Sequence, residues 1–507
     1  MSDTRPPEPV QVAARAWLHR AWEVLHDEHV LPTPSHRRHL RVGHDYYGHL
    51  DQRLYDALEG AVQDHYPRFA SHRPLHEREF ASPYLFSLLG AVVADASKTD
   101  GGADLPLDGT IDGCLDELHT ALTTAEAHVA CLRLCTNVTT RSGAPVDLNG
   151  VTVTPIETDN TSTRRRIART FENGISGAAE TLERHDAFVY APPESVVSTS
   201  TNSSTATRGA NAYDTSGGLS RDLERFLLAV RLLNPTTIQG AFEVRGESAR
   251  IRCHGPEYTT FRGAGPGLGS PTGLLRRSAV LHPDDAPALA YVQQLLLGSY
   301  SSSSADMAFT SLALALHKFT MSFHAHAWHE QLVDLATALE GALAGGDSSD
   351  VTLRLRTRAA ALINTRDDPA ANIFNDIKTL YGIRSKLVHG SDLTSKSLRK
   401  NVNSLSTSRP QDPYGLALAR AVDRLRDLVR RALLARLALA ATSPETWHLG
   451  QDDGVDAALV EDTTRTVWRT TWQQALRDVG AHDAPKAASA DDDSITPHSR
   501  PQGEPSG

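Results

Sequence analysis

Two residues in the C-terminal half of the chain have side chains that are suited to phosphodiester chemistry. They are Arg384 and His389, which enclose four residues in the segment YGIRSKLVHGSD. An imidazole can move protons near neutral pH, and a guanidinium presents a planar fork of donors that matches phosphate oxygens. Such groups could cleave RNA without a metal, because the ribose 2′-hydroxyl can attack the adjacent phosphorus and leave a cyclic phosphate. The spacing alone is weak evidence, since many helices contain an arginine and a histidine at this separation.

We predict that this segment is the end of a helix. Gly390 follows His389 directly and is typical of a left-handed helix cap. On an ideal helix, residues five positions apart lie about 140° apart around the axis. A shared site therefore requires the arginine to wrap around the helix, the helix end to distort at Gly390, or a second copy of the motif to come from a symmetric partner.

Basic residues are concentrated around the motif. The chain of 507 residues has 51 Lys plus Arg, 61 Asp plus Glu and a net charge of -10, a balance that argues against a dedicated nucleic-acid binder. Residues 351–440, however, contain 17 basic and 7 acidic residues. A basic helical surface of this kind could attract RNA through its phosphates. The alternative is that the arginines of RLRTR and DRLRDLVRR are solvated helix faces.

The hydrophobic pattern predicts an α+β chain, a mixed α/β domain followed by an all-α bundle. Residues 1–80 form a helical extension rich in histidine and arginine, and residues 81–284 form a mixed sensing or regulatory domain. In that domain HVACLRLCTNV, GVTVTPIET, DAFVYAPP, TTIQGAFEV and SARIRCHG are strand candidates, and a helix begins at Ser220. The Ser/Thr-rich residues 198–218 are predicted to be a mobile loop. Residues 285–445 form the bundle, and residues 446–507 are partly helical before a disordered acidic tail.

Several other kinds of protein are disfavoured by the sequence. No signal peptide or membrane span is visible, so we expect a cytoplasmic protein with no membrane partner. Cys131 and Cys135 lie in a strand pattern and are predicted to be buried apolar groups. His324, His326 and His329 are predicted to lie at a helix junction rather than in a metal site, because no further ligand is evident. We therefore expect no metal and no cofactor.

The segment YGIRSKLVHG, preceded by LVDLATALEGAL and RLRTRAAALI, resembles the Apea-like branch of the HEPN superfamily. These are small helical bundles whose signature is an arginine, four to six residues and then a histidine. The resemblance covers roughly residues 285–441. It implies a ribonuclease that acts as a homodimer, with both motifs in a cleft at the interface. It also implies a role in bacterial defence against phages, in which RNA cleavage halts infected cells.

Carried over to this chain, the resemblance makes Arg384 and His389 the catalytic candidates, with Ser385 at the polar position after the arginine. Glu340 is either a residue that orients a basic side chain or part of a structural ion pair. Lys386 could contact an RNA phosphate, although an exposed lysine near a helix end is also ordinary. Three arginines of the preceding helix are predicted to bind RNA, namely Arg354, Arg356 and Arg358.

A second hypothesis is of another class. In it, the bundle is a non-catalytic module that binds RNA, a nucleotide or a protein, and Ser385 in place of a stronger orienting group is its best support. A DNA-binding regulator is disfavoured, because no helix-turn-helix segment is evident.

Overall fold

The computed structural model combines helices with an antiparallel sheet, and its C-terminal part is helical. This confirms the mixed α and β class that the sequence predicts. The described residues are 5–27, 51–73, 79–96, 107–124, 126–155, 195–204, 208–247, 249, 251–252, 257–260, 275, 277–300, 310–325, 327–344, 350–409, 411–442 and 453–481.

Four amphipathic helices pack together at the N-terminal end. They are α1 (Glu8–Asp27), α2 (Gln52–His65), α3 (Ser82–Ala96) and α4 (Leu107–Thr123). Their shared core includes Trp17, Tyr84 and Leu115, which are almost fully buried. Because α3 and α4 bury their apolar faces against α1 and α2, the packing divides the chain after α4. The predicted boundary between residues 80 and 81 lies inside this helical cluster.

The sheet follows this cluster along the chain. Its strands and those of a smaller pair are β1 (Glu126–Thr136), β2 (Val138–Thr140), β3 (Val146–Leu148), β4 (Val151–Pro155), β5 (Ser195–Ser204), β6 (Gln239–Glu247), β7 (Glu257–Thr260) and β8 (Ala279–Leu281). Six strands have the order β3-β4-β5-β1-β6-β7, and β2 pairs in parallel with β8. The alternation of HVACLRLCTNV places Cys131 and Cys135 in β1, and both are buried as predicted.

The predicted mobile loop at residues 198–218 is wrong for the residues that the structure describes. Residues 198–204 belong to β5, and residues 208–218 belong to helix α5 (Arg208–Leu233). β5 pairs with the central strand β1 from Ser195 to Ser204, so backbone hydrogen bonds order a segment that has few apolar side chains. Residues 205–207 and the predicted strand DAFVYAPP lie outside the described residues.

Two further details of this region differ from the prediction. Ser220 lies within α5 and does not cap it, because the helix begins at Arg208. Its hydroxyl instead donates to Glu243 Oε1 at 2.6 Å. The segment SARIRCHG forms no strand in its described residues, and the strand β7 follows it.

The C-terminal helices pack around one buried central helix. The helices of this region are α6 (Ala286–Tyr300), α7 (Ser311–Met321), α8 (Trp328–Leu343), α9 (Val351–Leu362), α10 (Ala370–Val388), α11 (Ser395–Asn403), α12 (Tyr414–Thr442), α13 (Asp453–Val460) and α14 (Asp462–Asp478). The central helix is α12, which is buried without interruption from Ala417 to Leu439. It contacts α5, each helix from α6 to α11, and α14.

The sheet and the helical bundle share one hydrophobic core. A single cluster of buried side chains extends from Ala127 in β1 to Leu476 in α14. The predicted boundary at residue 284 therefore does not separate two cores. The predicted last helix is divided into α13 and α14, and it docks firmly, since Trp472 is fully buried and donates to Leu362 O at 3.2 Å. Residues 482–507, predicted to be a disordered tail, lie outside the described residues.

Candidate functional site

Arg384 lies at the edge of the buried face of α10. Ile373, Ile377, Leu380 and Ile383 turn that face into the core, and this leaves Arg384 at the boundary between the core and solvent. Its side chain is 19% exposed, and Nη2 lies 3.1 Å from Glu340 Oε1 on α8. The structure therefore brings together two residues that the sequence singled out from segments more than forty positions apart.

Tyr381 completes this contact, and the sequence analysis did not identify it. Its ring lies 5.3 Å from the guanidinium carbon of Arg384, and its hydroxyl donates to the same Glu340 oxygen. Burial, together with this hydrogen bond, raises the pKa of Tyr381 to about 12. Arg384 Nε is buried without a hydrogen-bond partner among the described residues. Helical spacing could have identified Tyr381, because it precedes Arg384 by three positions and residues at this separation share one face of a helix.

The helix ends at His389 in the way that the sequence predicts. Gly390 has a φ of +64°, and Ser391 N donates to Lys386 O at 2.9 Å across the cap. His389 N donates to Ser385 O at 3.0 Å. The His389 bond is the last regular bond of the helix, and the Ser391 bond is that of a Schellman cap, which satisfies a carbonyl group at the end of the helix. The imidazole of His389 stands exposed at this end.

The structure does not join Arg384 to His389 within one chain. Among the described residues, no hydrogen bond or ion pair involves the His389 side chain, and that of Arg384 pairs with Glu340. Ser385 is half-buried, and Lys386 is exposed. The motif thus presents an anchored arginine and a separate, solvent-accessible imidazole.

The three arginines predicted to bind RNA are engaged in the fold. Arg358 is 1% exposed, bonds both carboxylate oxygens of Asp456 at 2.6 and 2.9 Å, and donates to carbonyl groups at the end of α8. Arg354 lies 3.5 Å from the same carboxylate. Arg356 stacks on Phe374 at 3.8 Å and donates to its carbonyl at 3.1 Å. The prediction is corrected: these side chains hold α9 against α8, α10 and α13.

The arginines of α12, which include those of DRLRDLVRR, are also internal, and neither interpretation of the sequence anticipated this. Six arginines of α12 are buried, namely Arg420, Arg424, Arg426, Arg430, Arg431 and Arg436. Arg424 bonds both oxygens of Asp368 at 2.7 and 2.9 Å, and its Nε donates to Asp376 at 2.8 Å. Arg431 pairs with Asp368 as well. Buried charges require such partners, so the local excess of arginine reflects an internal ion-pair network rather than a surface for RNA.

Exposed basic side chains lie elsewhere in the bundle, on α10 and α11. They are Lys378, Lys386, Lys396, Arg399 and Lys400. The two helices are in contact, and the motif lies at the end of α10. A positive surface thus accompanies the motif, although its residues differ from those that the sequence analysis selected.

A surface cleft of about 480 Å³ lies where α7, α8 and α10 meet. His324, in the turn after α7, and His329 on α8 line it together with Leu387 of the motif segment. Burial and the nearby Arg231 lower the pKa of His324 to about 4, although the carboxylate of Glu224 partly offsets this shift. The two histidines thus lie at a helix junction, as predicted, while His326 is outside the described residues.

Within the described residues, no group of three or more His, Cys, Asp or Glu side chains is arranged to hold a metal ion. None of the helices described is long and apolar enough to cross a membrane. Comparison of the chain with protein-family models, with curated proteins and with solved structures finds no match.

Proposed function

We propose that this protein is an endoribonuclease of the HEPN type that cleaves RNA without a metal ion. The observation that carries the proposal is the placement of Arg384, which Glu340 and Tyr381 hold near the end of α10, while His389 stands exposed at that helix end. A fixed guanidinium stabilises negative charge that develops on a phosphate. An accessible imidazole accepts the proton of the attacking 2′-hydroxyl. As the new bond to phosphorus forms, the bond to the 5′-oxygen breaks, and that oxygen takes up a proton and leaves as a hydroxyl group.

The active form in this proposal is a homodimer. Arg384 and His389 project from different sides of a helix end, so a second motif related by symmetry supplies the missing neighbour. Val388, inside the motif, is 48% exposed. In the proposed dimer this exposed aliphatic side chain lies at the contact between the two motifs.

RNA binding is assigned in this proposal to the exposed basic residues of α10 and α11. Lys386, Lys396 and Lys400 replace the arginines of α9, which are engaged in the fold, as candidate phosphate contacts. Their side chains are solvent-accessible, and phosphate contacts by lysine require no fixed geometry.

A second candidate is a non-catalytic module that binds RNA, a nucleotide or a protein. It is favoured by the Arg384–Glu340 pair, because a guanidinium that is already paired with a carboxylate attracts a phosphate less strongly. This candidate predicts binding without cleavage.

The decisive experiment uses purified full-length protein and total RNA in the presence of EDTA. We expect fragments that end in a 2′,3′-cyclic phosphate, and we expect His389→Ala to abolish them. His72→Ala, which removes an exposed histidine from the N-terminal cluster, is the matched control. If His389→Ala cleaves RNA at the rate of the parent protein, the catalytic assignment is wrong. If the parent protein binds RNA without cleaving it, the second candidate is supported.

The biological role in this proposal is bacterial defence against phages, which rests on the family resemblance alone. Cells that carry the parent gene should give fewer plaques than cells that carry the His389→Ala gene. Equal plaque counts with both genes would remove His389 from any defence mechanism.

A further inference from the structure

The cleft between α7, α8 and α10 lies close to the motif. Leu387, which lines it, follows Arg384 by three positions and therefore shares its side of α10. Val333, which also lines it, precedes Glu340 by seven positions, or about 10 Å along α8. The cleft and the Arg384–Glu340 pair thus occupy the same seam between α8 and α10. Glu330, which also lines the cleft, precedes Glu340 by ten positions, or about 15 Å along α8. An RNA strand with a phosphate at Arg384 therefore reaches the cleft with a nucleotide one or two positions away.

The side chains of the cleft are unsuited to a phosphate. Glu330 and Asp334 bring two carboxylates to it, and Lys318 Nζ balances one of them at 2.8 Å from Asp334 Oδ1. Carboxylates repel a phosphate but accept hydrogen bonds from N–H groups. Glu330 is exposed. Among the described residues its carboxylate accepts one hydrogen bond, a long capping bond of 3.4 Å from Ala327 N.

The remaining walls suit a flat, partly apolar group. Met321, Val333 and Leu387 supply apolar surface, and Met321 is 39% exposed. His324 is neutral near pH 7, because burial lowers its pKa to about 4. The volume of about 480 Å³ lies within the range of small-molecule sites.

We propose that this cleft binds a guanine base of the RNA beside the scissile phosphate, with Glu330 as the acceptor of its hydrogen bonds. The inference rests on the proposed function and adds a specificity-determining residue to it. Guanine presents a ring N–H and an amino group side by side, which match the two oxygens of one carboxylate. Adenine and cytosine place a lone pair beside the amino group, and uracil has no amino group. Unstacked bases of single-stranded RNA are recognised along this edge.

The first test measures binding separately from cleavage. Short single-stranded RNA oligomers that contain one guanosine or one inosine are titrated into full-length His389→Ala protein, and fluorescence anisotropy reports the affinity. Inosine lacks only the amino group, so we expect it to bind about tenfold more weakly. Glu330→Gln should remove this difference, whereas Asp367→Asn, at an exposed acid outside the cleft, should keep it. Equal affinity for both oligomers, or a preference that survives in Glu330→Gln, overturns the inference.

The second test maps cleavage by the parent protein. We expect cuts next to guanosine, and we expect Glu330→Gln and the cleft-filling Val333→Trp to relax this preference. Cuts distributed equally among the four nucleotides in the parent overturn the inference while leaving the nuclease proposal standing. If the parent cuts no RNA, the nuclease proposal fails, and the anisotropy measurement still decides whether the cleft recognises guanine.

Discussion

Arg384 Nη2 and Glu340 Oε1 lie 3.1 Å apart, which links α10 to α8 at the point where the motif leaves the buried core. The Tyr381 hydroxyl donates to the same oxygen. The carboxylate is partly exposed, so the pair contributes about 1 kcal/mol or less to stability. Its main consequence is geometric, because it limits where the guanidinium can point.

This relationship gives a test of whether Glu340 orients Arg384 or serves only the fold. On the proposed function, Glu340→Gln should lower kcat for RNA cleavage about tenfold or more with little change in KM, because the arginine is no longer fixed. Tyr381→Phe should have a smaller effect in the same direction. Initial rates over a range of RNA concentrations give both constants. An unchanged kcat in Glu340→Gln shows that the ion pair is structural.

Asp368 provides a test of the buried ion-pair network. Its two oxygens bond Arg424, and it also pairs with Arg431. Asp368→Ala should lower the free energy of unfolding by about 3–5 kcal/mol, because it leaves buried charges uncompensated. The neighbouring Asp367 is exposed, and Asp367→Ala should change stability by less than about 0.5 kcal/mol. Urea denaturation of both variants checks this, and similar midpoints would contradict the structural assignment.

His324 makes stability depend on pH in a defined window. Its pKa is lowered from 6.5 to about 4, by burial and by Arg231 and Arg133 against Glu224. Between these values the unfolded chain binds a proton that the folded chain does not, so stability should fall as the pH decreases from about 6.5 to about 4. The loss is at most about 3 kcal/mol. Urea denaturation at pH 7 and pH 5 measures the free energy of unfolding. This free energy should decrease less between the two pH values in His324→Gln than in the parent, and identical decreases would refute the prediction.

Two helical glycines should respond in opposite ways to alanine. A Cβ atom at Gly341 in α8 would lie 2.6 Å from Ser311 O and 3.0 Å from Ala315 Cβ of α7. Gly341→Ala should therefore destabilise the protein by about 1–3 kcal/mol. At Gly382 in α10 a Cβ atom meets nothing within 4 Å, so Gly382→Ala should stabilise it by up to about 1 kcal/mol. Thermal denaturation distinguishes the two, and a tolerated Gly341→Ala would show that α7 and α8 are not in close contact.

Val388 tests the proposed homodimer. Val388→Asp places a charge on the exposed aliphatic position inside the motif and should weaken self-association about tenfold or more. Leu353→Asp is the control, because Leu353 is also an exposed aliphatic residue, at 54% exposure, but it lies on α9 outside the motif. Sedimentation velocity over a range of protein concentrations measures the effect. A parent protein that stays monomeric at all concentrations contradicts the dimer.

The sequence by itself determined the local structure around the motif. Hydrophobic periodicity identified the helices α6 to α10 and α12, whereas it did not identify the short helix α11. Gly390 marked the end of α10, because a left-handed residue there suits glycine. Alternating apolar residues likewise identified β1 and the burial of its cysteines. These features depend on residues only a few positions apart, so the pattern contains the information that they require.

Only the tertiary structure decided which surfaces those elements bury. Arg424 and Arg431 of α12 are internal because Asp368 and Asp376, which lie about fifty positions or more away along the chain, neutralise them together with acids of α12 itself. β5 is ordered by its pairing with β1, despite a composition typical of a loop. Glu340 and Tyr381 meet Arg384 because α8 and α10 pack side by side. Charge and composition along the chain do not specify such partners, since burial and ion pairing depend on which distant segments come into contact.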